Sequence, residues 1–147
     1  MSGRTRGYAH RIDIAAGAHV VWKTLTSTEA LRKWCSPDAQ INAREGGSFR
    51  ASVDRVAELE AHIDVLVPER RMRIIYLPSE ELPANSAIVD DFILDGSHAG
   101  KTILRLLGSG FPVSPASDAF YLRLRTGWER AVARLKVLAE QTAGGQA

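Results

Sequence analysis

Near the end of the chain, apolar residues recur at Phe120, Leu124, Trp128, Ala131, Leu135 and Leu138. Steps of three and four residues stack them on one face of a long α-helix. Ser114, followed by Pro115, marks its start. Upstream the period changes to two. Ile12 and Ile14 alternate with Arg11 and Asp13, which predicts a first strand over residues 8–15. Two short helices come next. One spans residues 18–26 and carries Val21, Trp22 and Leu25; the other is capped by Ser27, Thr28 and Glu29, carries Leu31 and Trp34, and stops at Pro37. Strands are predicted over residues 40–43, 48–53, 56–67, 71–77, 86–95 and 102–108. Phe49, Ala51 and Val53 share a face in one of them, Met72, Ile74 and Tyr76 in another, and Leu104 and Leu106 in the last. Gly46-Gly47 makes a tight turn, and a change of phase near Val65 predicts a bulge. Residues 78–85 and 96–100 read as loops, and Gly110-Phe111-Pro112 is expected to end the last strand. A helix with one apolar stripe must bury it, and the only large partner here is the sheet. Laid across a curved sheet, such a helix leaves a space, so the pattern predicts an α+β fold with a pocket.

Composition narrows the picture only modestly. At 147 residues, 45% hydrophobic and 24% charged, the chain reads as one ordinary globular domain. A net charge of +2 is too small to suggest nucleic acid. The bases Arg123, Arg125, Arg130, Arg134 and Lys136 read as a solvated helix face. Cys35 is the single cysteine, which excludes an internal disulfide and suits a reducing cytoplasm. No apolar run reaches ~18 residues, so no membrane span is expected. Residues 1–11 lack the apolar core of a signal peptide, and residues 142–147 are expected to fray.

Candidate chemistry centres on one carboxyl. Ile88, Asp90, Phe92 and Leu94 fall on one strand face, and all but Asp90 are apolar. If that face is inward, Asp90 sits in an apolar pocket and must be paired, hydrated or protonated. It would then serve as a ligand anchor or a general base, with Arg125 and Tyr121 as expected partners. Alternatively a bulge turns it to solvent beside Asp91. Cys35 follows a helix C-terminus, where the dipole disfavours a thiolate, so it is not expected to be catalytic. His10, His19, His62 and His98 are scattered and form no metal-ligand pair, and His62 is expected on the outer sheet surface. Gly46-Gly47 precedes a strand rather than a helix, so it is not a phosphate loop. No Gly-x-Ser-x-Gly elbow occurs, and no cofactor or metal is expected.

Several local strings, taken in order, carry a family resemblance. They are Ala18-His19-Val20-Val21-Trp22 with Leu25-Thr26, Glu29-Ala30-Leu31-Arg32-Lys33-Trp34, Glu45-Gly46-Gly47-Ser48-Phe49-Arg50, Pro68-Glu69-Arg70-Arg71-Met72, Ser109-Gly110-Phe111, and Gly127-Trp128 with Arg134-Leu135-Lys136. The chain resembles the START-like (SRPBCC, Bet v 1-like) superfamily over about residues 8–140. More narrowly, it is similar to the branch named after the activator of the heat-shock-protein chaperone ATPase. The resemblance implies a helix-grip fold: a seven-stranded antiparallel sheet curled around the C-terminal helix, with two short helices closing one side. It also implies an internal cavity of the kind that takes lipids, sterols, polyketides or plant hormones in relatives, some of which are enzymes such as polyketide cyclases. Two departures stand out. Trp34-Cys35 replaces a frequent tryptophan pair, a loss of about 100 Å² of side chain that is expected to widen the pocket. Asp90 replaces an apolar inward residue.

The resulting expectation is a cytoplasmic protein that binds a small apolar or aromatic molecule without transforming it. The large residues expected to line the pocket are Trp34, Phe49, Tyr76, Phe92, Phe111, Phe120 and Trp128, with Ala51, Ile63, Met72, Ile74, Leu104, Tyr121 and Leu124 between them and Asp90 as the polar anchor. The alternatives are a cofactor-independent cyclase or hydrolase using Asp90 with a tyrosine, and a co-chaperone-like interaction module with a chaperone partner. Val89, Ile93, Ile103 and Leu107 would share the outer sheet face, which predicts a homodimer.

Overall fold

The computed structural model describes residues 3–80, 82 and 86–145. Strand β1 (Thr5–Ile14) leads into helices α1 (Ala18–Thr26) and α2 (Thr28–Trp34). Strands β2 (Gln40–Ile41), β3 (Ser48–Val53), β4 (Ala57–Val67), β5 (Arg71–Tyr76), β6 (Val89–His98) and β7 (Lys101–Pro112) follow, and α3 (Pro115–Gly144) closes the chain. The strands form one antiparallel sheet in the order β1-β7-β6-β5-β4-β3-β2. The sheet is therefore a meander from β2 to β7 whose last strand pairs with the first. This is the α+β fold expected from the pattern and the helix-grip architecture implied by the family resemblance.

Local chemistry explains most boundaries. The Ser27 hydroxyl accepts a hydrogen bond from the Ala30 amide at 3.2 Å and caps α2. Ser114 is the N-cap of α3 with Pro115 in its first turn, but the Ser114 hydroxyl contacts the Ser117 hydroxyl rather than a backbone amide. The register of β4 on β5 shifts between Ile63 and Val65, where the phase change predicts a bulge. Several boundaries differ from expectation: β1 begins at Thr5 rather than residue 8, β2 stops at Ile41 rather than residue 43, and β6 begins at Val89 rather than residue 86. β7 does not end at Gly110 but continues to Pro112, because Gly110 takes φ 85° and kinks the strand without breaking its pairing with β1. β6 extends past Asp95 to His98, which shortens the hairpin loop. α3 includes Thr142 to Gly144, so those residues continue the helix rather than fray; Gln146 and Ala147 lie outside the described residues. The expected loop at residues 78–85 also lies partly outside them, at Glu81, Pro83, Ala84 and Asn85.

The inner sheet face and the α3 stripe meet in one core. Phe120, Leu124, Trp128, Ala131 and Leu135 are buried and Leu138 is partly buried against them. Trp128 lies 5.4 Å from Phe92 and 6.4 Å from both Trp34 and Phe49 by ring centroids, so rings fill the space beneath the middle of the helix. At the β3–β4 turn, Asp54 accepts from Arg134 at 2.7 Å and lies 3.6 Å from Arg130, tying that hairpin to α3. Among the described residues, no helix is long and apolar enough to cross a membrane.

Candidate functional site

β6 alternates strictly, and its inward residues Asp90, Phe92 and Leu94 are all buried, as is Ile88 just before it. No bulge turns Asp90 outward: it is wholly inaccessible to solvent. Three donors converge on its carboxylate. Tyr8 Oη donates to Oδ1 at 2.5 Å, Tyr76 Oη donates to Oδ2, and Trp128 Nε1 donates to Oδ2 at 3.1 Å. They come from β1, β5 and α3, so the carboxylate joins both sides of the sheet to the helix. The expected partners are not used. Arg125 is exposed, and its carbonyl is paired with His10 Nε2 at 3.0 Å. Tyr121 donates instead to the Gly7 carbonyl at 2.6 Å. The helix turn explains this: Trp128 is on the buried stripe, whereas Arg125 is off it.

Tyr8 reaches Asp90 because of a glycine between them. Tyr8 pairs with Gly108, and Gly108 pairs with Asp90, so the three lie in one row across β1, β7 and β6. A Cβ on Gly108 would fall inside the Tyr8 ring. With hydrogen in that place, the ring lies flat across β7 and its hydroxyl arrives at β6. Tyr76 approaches from the opposite side, two residues beyond Ile74, the Asp90 partner on β5. Sequence reasoning missed Tyr8 and Gly108. The available signals were the phase of Tyr8, in step with Ile12 and Ile14, and a glycine inside an otherwise apolar strand.

Burial dominates the electrostatics. It pushes the Asp90 carboxyl up to about 6, against the opposing pull of its three hydrogen bonds. Burial also holds both tyrosines well above their ordinary value, with the Asp90 charge adding to it, so both remain protonated donors. Cys35 is buried, which pushes its thiol up to about 12 and removes it as a nucleophile at neutral pH. His62 is only partly buried on β4, out of phase with the inward residues. Among the described residues, no group of His, Cys, Asp and Glu is placed to hold a metal.

An open cleft of about 440 Å³ lies where the chain leaves β5. Ala51, Leu59, Tyr76, Leu82 and Phe120, all buried or nearly so, form its inner wall, and Asp38, Arg50, Ser52, Glu58, Glu60 and Ser79 give it a polar rim. Of the residues expected to line a pocket, only Ala51, Tyr76 and Phe120 border this cleft. Trp34, Phe49, Ile63, Met72, Ile74, Phe92, Leu104, Phe111, Tyr121, Leu124 and Trp128 are inward and buried, but they pack against one another. Cys35 does not border the cleft either, so the loss of a tryptophan there does not widen it.

A family model described as "Activator of Hsp90 ATPase homolog 1-like protein" matches residues 15–140. The chain belongs to this family. Its fold recurs in solved structures. A protein of Mesorhizobium loti superposes with a TM-score of 0.77 at 21% identity, covering 93% of this chain and 98% of that one. The Aha1 dimer from Colwellia psychrerythraea gives 0.74 at 20% identity, covering 92% and 96%. An HSP90 activator from Plasmodium falciparum gives 0.73 at 11% identity, covering 90% and 94%. At such identities the likeness establishes the shared fold and not a shared activity. A comparison with curated proteins finds no match. Within the Activator of Hsp90 ATPase homolog 1-like frame, this chain presents an enclosed Asp90 cluster and a cleft bordered by Tyr76.

Proposed function

We propose that the chain binds a small, mainly apolar or aromatic molecule in the cleft at the end of the grip and carries it without transforming it. The observation that supports this reading is the composition of the inner wall. Ala51, Leu59, Leu82 and Phe120 offer apolar surface, and Tyr76 borders them with its hydroxyl turned inward to Asp90. Burial of ligand surface at roughly 25 cal/mol per Å² drives binding, less the cost of ordering the ligand. The test is native mass spectrometry of the protein purified from its own host. An adduct is expected, and it should diminish in Leu77→Trp, which narrows the cleft from its exposed rim without touching the core. A protein that travels at its bare mass, together with no retention of apolar probes by the purified chain, would end the proposal.

The enzyme alternative draws on the same cluster. Burial raises the Asp90 carboxyl to about 6, nearer the range a general base needs, yet Asp90 is wholly enclosed and does not border the cleft. We favour carriage because Tyr76 is held protonated by burial. The outer sheet face supports a homodimer as the assembly. Ile75, Val89, Ile93 and Ile103 are only partly covered and Leu107 is exposed, beside the ion pairs Arg71–Asp91 and Arg73–Asp64.

A further inference from the structure

Tyr76 stands between the cleft and the enclosed core. It ends β5 on the inward face, as Ala51 does on β3 and Leu59 on β4, and it lines the cleft while only 6% exposed. Its hydroxyl is turned into the core, where it donates to Asp90 Oδ2 beside the Trp128 indole. Its ring meets Phe111 edge-on, with centroids 6.1 Å apart and planes at 85°. Asp90, Phe111 and Trp128 are buried and do not border the cleft. One side chain thus has apolar cleft on one side and filled interior on the other. A contact at its tip and another on its flank hold both of its side-chain torsions. The tip contact is a hydrogen bond to a carboxylate, the stronger kind.

The geometry points to Tyr76 as the residue that sets the inner limit of the cleft, with Asp90 as the positioning residue that tethers its ring across the way into the grip. This rests on the reading that the cleft binds an apolar or aromatic molecule, and it narrows the class. The ligands are compact molecules that lie against Ala51, Leu59, Leu82 and Phe120, rather than long-chain lipids whose tails run on towards Asp90. An apolar tail that pushed past Tyr76 would strip a donor from an enclosed carboxylate and offer nothing in exchange.

The test is a fluorescence titration of the intact protein with acyl dimethylaminonaphthalenes. They share one neutral aromatic body, and the acyl chain is lengthened from propionyl to dodecanoyl. Each methylene that is buried should tighten binding about fourfold. In the wild type the gain is expected to stop within the first few homologues, because further methylenes meet Tyr76 and stay in water. Tyr76→Ala removes the ring and should let the gain continue, so that the dodecanoyl compound binds at least about tenfold more tightly than to the wild type while the propionyl compound changes little. Tyr76→Phe keeps the ring without its tether and should move the stopping point to longer chains. Asp90→Asn keeps an oxygen that accepts from Tyr76 and Trp128 and turns its amide to the Tyr8 oxygen, so the wild-type profile should be retained. A role confined to structure would weaken every homologue alike and leave the stopping point in place.

A wild-type gain that continues to the dodecanoyl compound, or a stopping point unmoved in Tyr76→Ala, would overturn the assignment while leaving the cleft as a binding site. A stopping point unmoved in Tyr76→Phe would overturn the part given to Asp90. Failure of every homologue to bind would overturn the cleft reading and this assignment with it. Should Tyr76→Ala fold poorly, Tyr76→Phe decides in its place.

Discussion

Asp90 shows how one residue can carry cost and organisation together. An enclosed carboxylate loses its hydration, and three donors replace it. The replacement is incomplete, which is why the carboxyl sits at about 6 rather than near its usual value. The consequence for stability has a definite sign. In the unfolded chain the carboxyl ionises near ~3.9, whereas in the native state it keeps its proton up to about 6. The protonated form therefore stabilises the fold fully below the lower value, and that contribution is lost as pH rises through the higher one. Between pH near 5 and pH near 7, wild-type stability should fall by about 1 kcal/mol relative to Asp90→Asn, which cannot titrate. Paired urea unfolding curves across that range check this. A constant difference between the two proteins would mean that Asp90 does not titrate there.

At the level of elements, β1 and β6 communicate across β7 through an absence. The row Tyr8, Gly108, Asp90 works because the central strand contributes no side chain. Gly108→Ala would force the Tyr8 ring off β7 and break its bond to Asp90, and overpacking of this kind is destabilising by about 2 kcal/mol. In a Tyr8→Ala background the ring is gone, so the same substitution should cost about half as much or less. Additive effects in that double-mutant cycle would show that the ring and the glycine are independent. The same strand also carries Gly110, where positive φ redirects β7 and where a Cβ would overlap the Ala87 carbonyl. Two glycines thus serve β7 for different reasons, one for space beside a ring and one for backbone conformation.

For the whole molecule, the interior beneath the middle of α3 is filled, and the cleft bordered by Tyr76 lies towards one end. Aromatic rings occupy the centre under α3, and the cleft lies at the end where β5 stops and α3 begins. The proposed homodimer uses the outer surface of the sheet. Leu107 is 39% exposed on the outer face of the sheet, among the partly covered Ile75, Val89, Ile93 and Ile103. Sedimentation at high protein concentration should give twice the 16.1 kDa chain mass, and Leu107→Asp should return the monomer. A wild-type sample that stays at the single-chain mass would refute the dimer without bearing on the cleft.

Periodicity alone determined the fold class. Steps of three and four along α3, alternation along the strands and punctuation by glycine and proline are local properties, and each leaves its mark in a short window of residues. The shared face of Ile88, Phe92 and Leu94 was legible for the same reason, and with it the anomaly of Asp90, but alternation alone does not exclude a bulge that turns Asp90 to solvent. What surrounds Asp90 was not legible. Tyr8 lies 82 positions away, Tyr76 14 and Trp128 38, and only the register of β1, β7, β6 and β5 brings them together. The expectation of Arg125 and Tyr121 failed because Arg125 is exposed, off the buried stripe, while Tyr121, buried two turns from Trp128, donates to the Gly7 carbonyl instead. The position of the cleft was equally a tertiary matter. Counting large inward residues cannot tell whether they line a space or fill it, because that depends on how closely ring shapes interlock once sheet curvature and helix placement are set.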